Sequence, residues 1–260
     1  MHPHGRLARA VSSRYGPDLA LVHHLGFGFH ADACAPGVLG LLEPVRGGLV
    51  LELGCGSGAL TRHLVAAGHR VVATDASPAM VTLTRESVPG VDEVRQLALP
   101  DDPLPAADAV VSVGHVLNYL PDREAVDRAL AAIAGALVDG GVLALDLLDV
   151  GYAAARVDAP PYARVEDGWA LFTGYQVPAP DRFVRDITTF VRAGDDAWRR
   201  HDERHENVLL DTSQVPALLA AHGVQATVRP SFGDERLPEG LVAVVAGKVG
   251  RPGLEPGPEA

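Results

Sequence analysis

Two cysteines in 260 residues, Cys34 and Cys55, are too few for a disulfide scaffold and form no zinc-ligand spacing. No apolar run approaches the length of a membrane span. The opening residues, MHPHGRLARAVSSRYGPD, carry basic side chains but no apolar segment of the kind a secretory signal needs. These absences lead us to expect a chain of the reducing cytoplasm. Basic charge is scarce as well: 22 Lys and Arg against 33 Asp and Glu give a formal net charge of -11. Such a surface repels phosphate backbones and anionic lipid, which favours a small-molecule partner over nucleic acid or membrane. The arginines of TFVRAGDDAWRRHDERHENV are interleaved with acids and make no basic patch. No internal repeat is present. Hydrophobic residues make up 47% of the chain, enough for one large packed domain or one domain with an insert.

From Leu49 to Asp149, short apolar runs alternate with segments of helical spacing. LVLEL, RVVATD, VRQLAL, AADAVVSVG and VLALDLLD read as strands. ALTRHLVAAG reads as a helix with a glycine stop. SPAMVTLTRESVPG is a helix capped by Ser77 with Pro78 at its first position. REAVDRALAAIAGALVDGG is a strong helix ending in Gly-Gly. Near-continuous apolar strands between helices predict a parallel sheet covered on both faces. The rhythm then changes. WALFTGYQV, RFVRDITTFVRAG and AWRRHDERHENVLL are extended segments punctuated by turn residues, which predicts an antiparallel meander. DTSQVPALLAAHG returns to helix, and ATVRPSF and LVAVVAGK close the chain with two strands.

The first two strands carry the chemistry. A glycine turn between a strand and a helix lets backbone approach a ligand closely and aims free N–H groups at it. Here Gly54, Gly56 and Gly58 form G-x-G-x-G, with Ala59 where the dinucleotide fingerprint has its last glycine. The Gly-Lys-Ser/Thr of a P-loop is missing too. Both departures count against a pyrophosphate ligand. Asp75 ends the second strand, 17 residues beyond Gly58, where a carboxylate suits two ribose hydroxyls. NAD and S-adenosylmethionine both offer such a ribose.

The whole string VLELGCGSGALTRHLVAAGHRVVATDASPAMV closely resembles the cofactor region of class I S-adenosylmethionine-dependent methyltransferases. ADAVVSVGHVLNYL, LVDGGVLALDLLD and the terminal LLAAHGV and LVAVVAGK extend the likeness. The resemblance implies a doubly wound, Rossmann-like, mostly parallel seven-stranded sheet, and the extended segments add a small antiparallel β insert to it. It also implies S-adenosyl-L-methionine as cofactor. By the same resemblance Gly54, Cys55, Gly56 and Gly58 line the methionine part, Glu52 helps to hold the amino group, and Asp75 with Ala76 takes the ribose. The family commonly has Gly-Asp or a similar acidic pair by the adenine. This chain reads VRQLALP there, which leaves Gln96, Leu97 or Ala98 for that contact. Cys55 is expected to be a small buried residue rather than a nucleophile.

Methyl transfer is an in-line displacement that gains most from positioning, and it needs a base only if the acceptor must lose a proton. The reacting centre is expected beyond the carboxyl end of the fourth strand, which puts Gly114 and His115 on its floor. In WRRHDERHENV, alternation puts His201, Glu203 and His205 on one face and Arg200, Asp202 and Arg204 on the other. His115, Glu203 and His205 are thus the catalytic candidates, and no metal site is expected. Tyr15, Phe27, Phe29, His23, His24 and His30 belong to an N-terminal segment that small-molecule members of the family often use as a lid. Asp234, Glu235 and Arg236 fall in a last hairpin that borders the acceptor site in relatives.

The expected organisation is an N-terminal lid segment at 1–39, a cofactor-binding core at 40–150 and 208–249, a β insert at 151–207 and a tail at 250–260. The first 17 residues read as a loose end. The expected activity is methyl transfer to a small molecule, at nitrogen, oxygen or carbon. The rival readings are a protein or RNA methyltransferase, and a reused fold that binds the cofactor without transfer. No Asn-Pro-Pro-Tyr or Asp-Pro-Pro-Tyr motif of nucleic-acid amino methyltransferases is present.

Overall fold

The computed structural model describes residues 14–249. The loose ends expected at 1–13 and 250–260 lie outside the described residues. Residues 14–17 are not loose: Arg14 donates to the Tyr119 carbonyl, the Tyr15 and Gly16 amides donate to Glu203, and Pro17 opens the first helix. Two helices come first, α1 (Pro17–Gly26) and α2 (Phe29–Leu41). Alternation follows: β1 (Leu49–Leu53), α3 (Thr61–Ala66), β2 (Arg70–Asp75), α4 (Pro78–Ser87), β3 (Glu93–Gln96), β4 (Ala107–Ser112), α5 (Arg123–Ala136) and β5 (Leu137–Leu148). After a single helical turn, α6 (Gly151–Ala154), come β6 (Tyr162–Glu166), β7 (Trp169–Ala179), β8 (Arg182–Arg192) and β9 (Trp198–Val208). The chain closes with α7 (Val215–Ala220), β10 (Val224–Arg229) and β11 (Leu241–Lys248).

The main sheet has seven strands in the order β10-β11-β5-β4-β1-β2-β3. All pairings are parallel except those of β11, which runs antiparallel to β5 and β10. Chain order reverses between β1 and β4, so the carboxyl ends of β1, β2 and β4 open on one crevice, where ligands of doubly wound folds bind. Apolar side chains fill both faces of the sheet. One cluster joins Val50, Val71 and Val111 to Cys34 and Val38 of α2 and Leu64 of α3. The other joins Leu51, Val110 and Leu145 to Val126, Leu130 and Ile133 of α5 and Leu219 of α7. Each fully buried Leu or Ile contributes about 1.5–3 kcal/mol. Ser77 caps α4 by accepting from the Met80 amide at 3.3 Å, and Asp122 caps α5 through the Ala125 amide at 2.8 Å. These caps fix where the helices leave the crevice.

A second, four-stranded antiparallel sheet has the order β6-β7-β8-β9. Its inner face carries Leu171 and Trp169 of β7, with Ile187 and Val191 of β8, against Leu19 and Val22 of α1. Its outer face carries ion pairs such as Arg204 with Asp186 at 2.8 Å.

Three local expectations change. The helix expected to run into Gly140-Gly141 stops at Ala136, and β5 begins at Leu137. Pairing of Ala107 with Leu137 draws these residues into the ladder, with a register shift before Val142. Strand β6 adds a fourth strand to the meander. It hides from an alternation search because four of its five residues are exposed. Asn118 and Tyr119 do not start the next helix: they end a 3-10 turn, Val116–Tyr119.

Candidate active site

Gly54 and Gly56 follow β1 with φ of 71° and 58°, a left-handed backbone that side chains resist. A Cβ on Gly54 would stand 2.3 Å from Cγ2 of Val116, so the missing side chain lets the 3-10 turn after β4 rest on the glycine turn. Beyond Gly56 no heavy atom lies within 4 Å of a Cβ position, and the backbone there faces open space. Gly58 packs on α4, with Val88 Cγ2 2.7 Å from its Cβ position. Cys55 is buried with its Sγ 3.4 Å from Thr84 Oγ1, and burial pushes the thiol up, away from the reactive thiolate.

Two acids face this turn. Glu52 is buried in β1 and accepts from Thr61 Oγ1 at 2.7 Å. Burial raises it to about 7 against the opposing effect of that hydrogen bond. Asp75 ends β2 and accepts the amides of Gly56 at 3.0 Å and Ser77 at 2.8 Å. Burial raises it to about 6 although the amides of Ser77, Gly56 and Ala76 oppose the shift. Among the described residues, every hydrogen bond to these carboxylates comes from a neutral hydroxyl or amide. Two buried acids beside an open glycine backbone fit a ligand that offers an ammonium group and sugar hydroxyls.

Past Asp75, Gln96 Nε2 donates to the Ala76 carbonyl at 3.0 Å. The Leu97 amide donates to the Asp75 carbonyl at 3.0 Å, and its buried side chain packs with Leu51 and Leu53. Ala98 is exposed, with its amide held by Asp102 at 2.7 Å.

The other side of the crevice is built on Asp146 of β5, which is completely buried. It accepts the amides of Gly114 at 2.9 Å and His115 at 2.5 Å, and it meets His30 Nε2 of α2 at 3.0 Å. These bonds hold Gly114 at φ 108° and His115 at φ 50°. The His115 ring stacks on Tyr119 with centroids 5.7 Å apart. Burial, then the charge of Arg185, pushes His115 down to about 3, so its imidazole is neutral. Asn118 is buried and locks the turn to both sheets: its amide donates to the carbonyls of Leu148 and Val208, and its oxygen accepts the Leu148 amide.

Strands β8 and β9 close over this turn. The Arg185 guanidinium donates to Tyr119 Oη. The His205 ring is buried between Tyr119 Oη, 3.4 Å from Nδ1, and Glu203 Oε2, 2.8 Å from Nε2. Glu203 also accepts the amides of Tyr15 at 2.8 Å and Gly16 at 2.9 Å. Burial raises the Glu203 carboxyl, but the His205 bond and the two amides outweigh it and hold the group below its usual range. Tyr15 Oη lies 3.1 Å from Tyr119 Oη, and the Tyr15 carbonyl accepts from Ser77 Oγ at 2.7 Å.

The structure therefore brings His115, Glu203 and His205 into one polar cluster with Tyr15, Tyr119 and Arg185. It ties Glu203 to the N-terminal backbone and leaves His201 exposed. Phe27 packs on Trp169 with centroids 6.0 Å apart, while Phe29 and His24 are exposed. Glu235 accepts the amides of Phe232 and Gly233 in the last hairpin. The sequence reading missed Asp146 and Arg185. A lone acid inside the apolar run LALDLL was the available signal for Asp146, and a basic residue on the inner face of RFVRDITTFV for Arg185. Among the described residues, no group of three or more His, Cys, Asp or Glu is arranged to hold a metal ion. Nor is any helix there long and apolar enough to cross a membrane.

Residues 51–143 match a family model described as a methyltransferase domain. A protein of Geobacillus sp. (strain WCH70) named as a methyltransferase is 24% identical over 193 residues, covering 72% of this chain and 78% of that one. The ubiquinone biosynthesis O-methyltransferase of Xanthomonas axonopodis pv. citri (strain 306) is 35% identical over 135 residues, 48% of this chain. The match spans about half the length of that relative, 54%. Among solved structures, the sugar N-methyltransferase of Streptoalloteichus sp ATCC 53650 superposes with a TM-score of 0.72 at 23% identity, covering 93% of this chain and 99% of that one. The sheet order and the glycine turn with its two strand-end acids go with a matched methyltransferase domain at residues 51–143, on a fold shared with S-adenosylmethionine-dependent methyltransferases of known structure.

Proposed function

We propose that the chain methylates a small-molecule acceptor held between the glycine turn and the inner face of β7–β9. The observation that carries this reading is the contact of Val116 with Gly54, which sets His115 and Tyr119 directly beside the cofactor turn. The bound cofactor supplies a methyl group on a sulfonium sulfur. Toward it Gly54, Gly56 and Gly58 offer close backbone, Glu52 an acceptor for the amino group, and Asp75 with Ala76 the ribose contact. Leu97 and Ala98 are the adenine contacts and Gly114 is the floor. Residues 40–150 with 208–249 form the cofactor unit, 151–207 the acceptor cover, and the described part of the segment before residue 40 the lid.

His115, Tyr119 and Tyr15 orient the acceptor and exclude water, which is where such a reaction gains most. A neutral His115 accepts a hydrogen bond from the acceptor. Its low pKa suits an acceptor that arrives as a free amine better than one that must lose a hydroxyl proton. The likeness to a sugar N-methyltransferase supports an amino acceptor, and the 35% identity to an O-methyltransferase supports a hydroxyl as the second reading. The acidic net charge of -11 supports a small molecule over nucleic acid. The two free, buried cysteines support a reducing cytoplasm.

Titration with S-adenosylhomocysteine, then incubation with methyl-labelled cofactor and panels of aminosugars, hydroxylated sugars and phenols, tests the reading. Label on an aminosugar is the expected result. Label on a phenol or sugar hydroxyl selects the second reading. Cofactor binding with no labelled small molecule, or label on protein or RNA, rejects both. In Asp75→Ala the affinity for S-adenosylhomocysteine is expected to fall at least about tenfold, since hydrogen bonds to charged groups contribute about 1.5–3 kcal/mol each.

A further inference from the structure

Arg185 is a buried cation at this end of the fold, and the nearby buried acids Asp146 and Glu203 are bonded to other groups. Arg185 lies on the inner face of β8, opposite Tyr175 of β7 and His205 of β9. Its guanidinium donates to Tyr119 Oη and stands 5.7 Å from the Tyr119 ring centroid. Its Nε is buried and has no hydrogen-bond partner among the described residues. A buried donor left unpaired costs about 1–3 kcal/mol, and more when it is charged. His23 Nδ1 is a second buried polar atom without a partner there. Arg14 adds another cation, 5.3 Å from the same tyrosine centroid.

The acids of β8 and β9 are all engaged elsewhere. Asp186 accepts from Arg204 and Gln176, Asp202 from Thr188 and Arg200, and Glu206 from Arg204. Glu203 holds Tyr15, Gly16 and His205. The histidines that feel Arg185 are kept neutral: burial, then its charge, takes His23 to about 4 and His115 to about 3. A chain of net charge -11 thus carries a buried cation to which, among the described residues, no carboxylate is hydrogen-bonded.

We infer that the acceptor carries an oxyanion, a carboxylate or a phosphate, and that the Arg185 guanidinium receives it beside the hydroxyls of Tyr15 and Tyr119. This rests on the methyl-transfer reading above. The planar fork of arginine fits both oxyanions, and its free Nε is the donor that such a ligand satisfies. One tyrosine ring separates Arg185 from His115, so the anion anchors the far end of a molecule whose nucleophile lies at His115. Anchoring a remote group converts binding energy into orientation of the reacting atom.

The test uses the full chain with saturating S-adenosylhomocysteine, which fills the glycine-turn end. The melting temperature is titrated with sodium pyrophosphate, phosphate and acetate, with sodium chloride at matched ionic strength as control. A saturable rise beyond the chloride control is expected, with acetate against the phosphates reporting which oxyanion fits. In Arg185→Gln the midpoint is expected to move at least about tenfold higher, while S-adenosylhomocysteine affinity by calorimetry stays unchanged. Arg185→Lys keeps the charge without the fork and is expected to move the midpoint less, in the same direction. If the glutamine variant does not fold, the lysine variant decides. A wild-type rise no larger than that from chloride overturns the inference, and so does an unshifted midpoint in the folded variants. Failure of the wild type to bind S-adenosylhomocysteine overturns the methyl-transfer reading instead.

Discussion

His30 Nε2 on α2 lies 3.0 Å from Oδ2 of Asp146, and the same carboxylate holds the amides of Gly114 and His115. One buried acid therefore joins the N-terminal helices to the turn that presents His115. Burial alone would lower the His30 imidazole. Hydrogen bonds to Asp146 and Cys34, with the charge of Asp146, outweigh burial and raise it from 6.5 to about 10. A raised folded pKa means that the stabilisation is complete below pH 6.5 and is lost as pH climbs to about 10. Each pKa unit is about 1.4 kcal/mol, so the effect is on the order of a few kcal/mol. The wild-type melting temperature is expected to fall between pH 7 and 10, and His30→Asn to flatten that limb. Parallel slopes for the two proteins in thermal scans would show that the pair does not carry the effect.

Gly54→Ala is expected to destabilise by more than backbone strain alone. The left-handed φ costs about 1–2 kcal/mol for a residue with a Cβ. Contact with Val116, 2.3 Å from the new Cβ position, adds to it. Val116→Ala removes the clash but not the strain, so the double variant should recover part of the loss. A double-mutant cycle in urea checks this, and equal losses in both backgrounds would mean that Val116 yields without cost.

Glu203→Ala is expected to free the N-terminal segment. The carboxylate holds the Tyr15 and Gly16 amides, which come from 188 and 187 residues away in the chain. Hydrogen exchange should quicken at those amides and across α1, with Glu203→Gln intermediate because one acceptor oxygen remains. Protection unchanged in the alanine variant would assign the closure of this segment to the apolar contacts of Leu19 and Val22.

His115→Ala is expected to lower turnover by less than the roughly 10²–10⁴-fold typical of removing a general base. The reason is its pKa of about 3, which leaves a hydrogen-bond acceptor but a weak base. A depressed folded pKa also places its stability contribution above pH 6.5, lost as pH falls toward 3. Steady-state turnover beside cofactor affinity measures the first effect. A 10³-fold loss together with a wild-type pH limb near neutrality would make His115 the base.

Much of the core was legible because its signals are local. Leu49 to Leu53, the glycines at 54, 56 and 58, Asp75 and the Ser77-Pro78 cap lie within 30 residues, and each acts over a few neighbours. Apolar runs, left-handed glycines and helix caps depend on short-range sterics and hydrogen bonding, so they read directly from residue order. The inner and outer faces of β9 were legible for the same reason: a period of two is a property of the strand itself.

The end of the fold around Tyr119 obeys longer-range rules. Gly140-Gly141 reads as a helix stop, yet pairing with β4 makes it part of β5. Strand β6 has little burial pattern to read, and its existence depends on β7. Tyr119 meets Tyr15, Arg185 and His205 across 104, 66 and 86 residues of chain. The sequence alone determined the fold class, the glycine turn and the two acids that face it. Only the tertiary structure decided that Asp146 would clamp His30 to His115, that Glu203 would hold the N-terminal backbone, and that Arg185 would be left with an unpaired buried nitrogen. Those outcomes depend on which groups are desolvated together, and desolvation is settled by packing between elements that residue order does not place side by side.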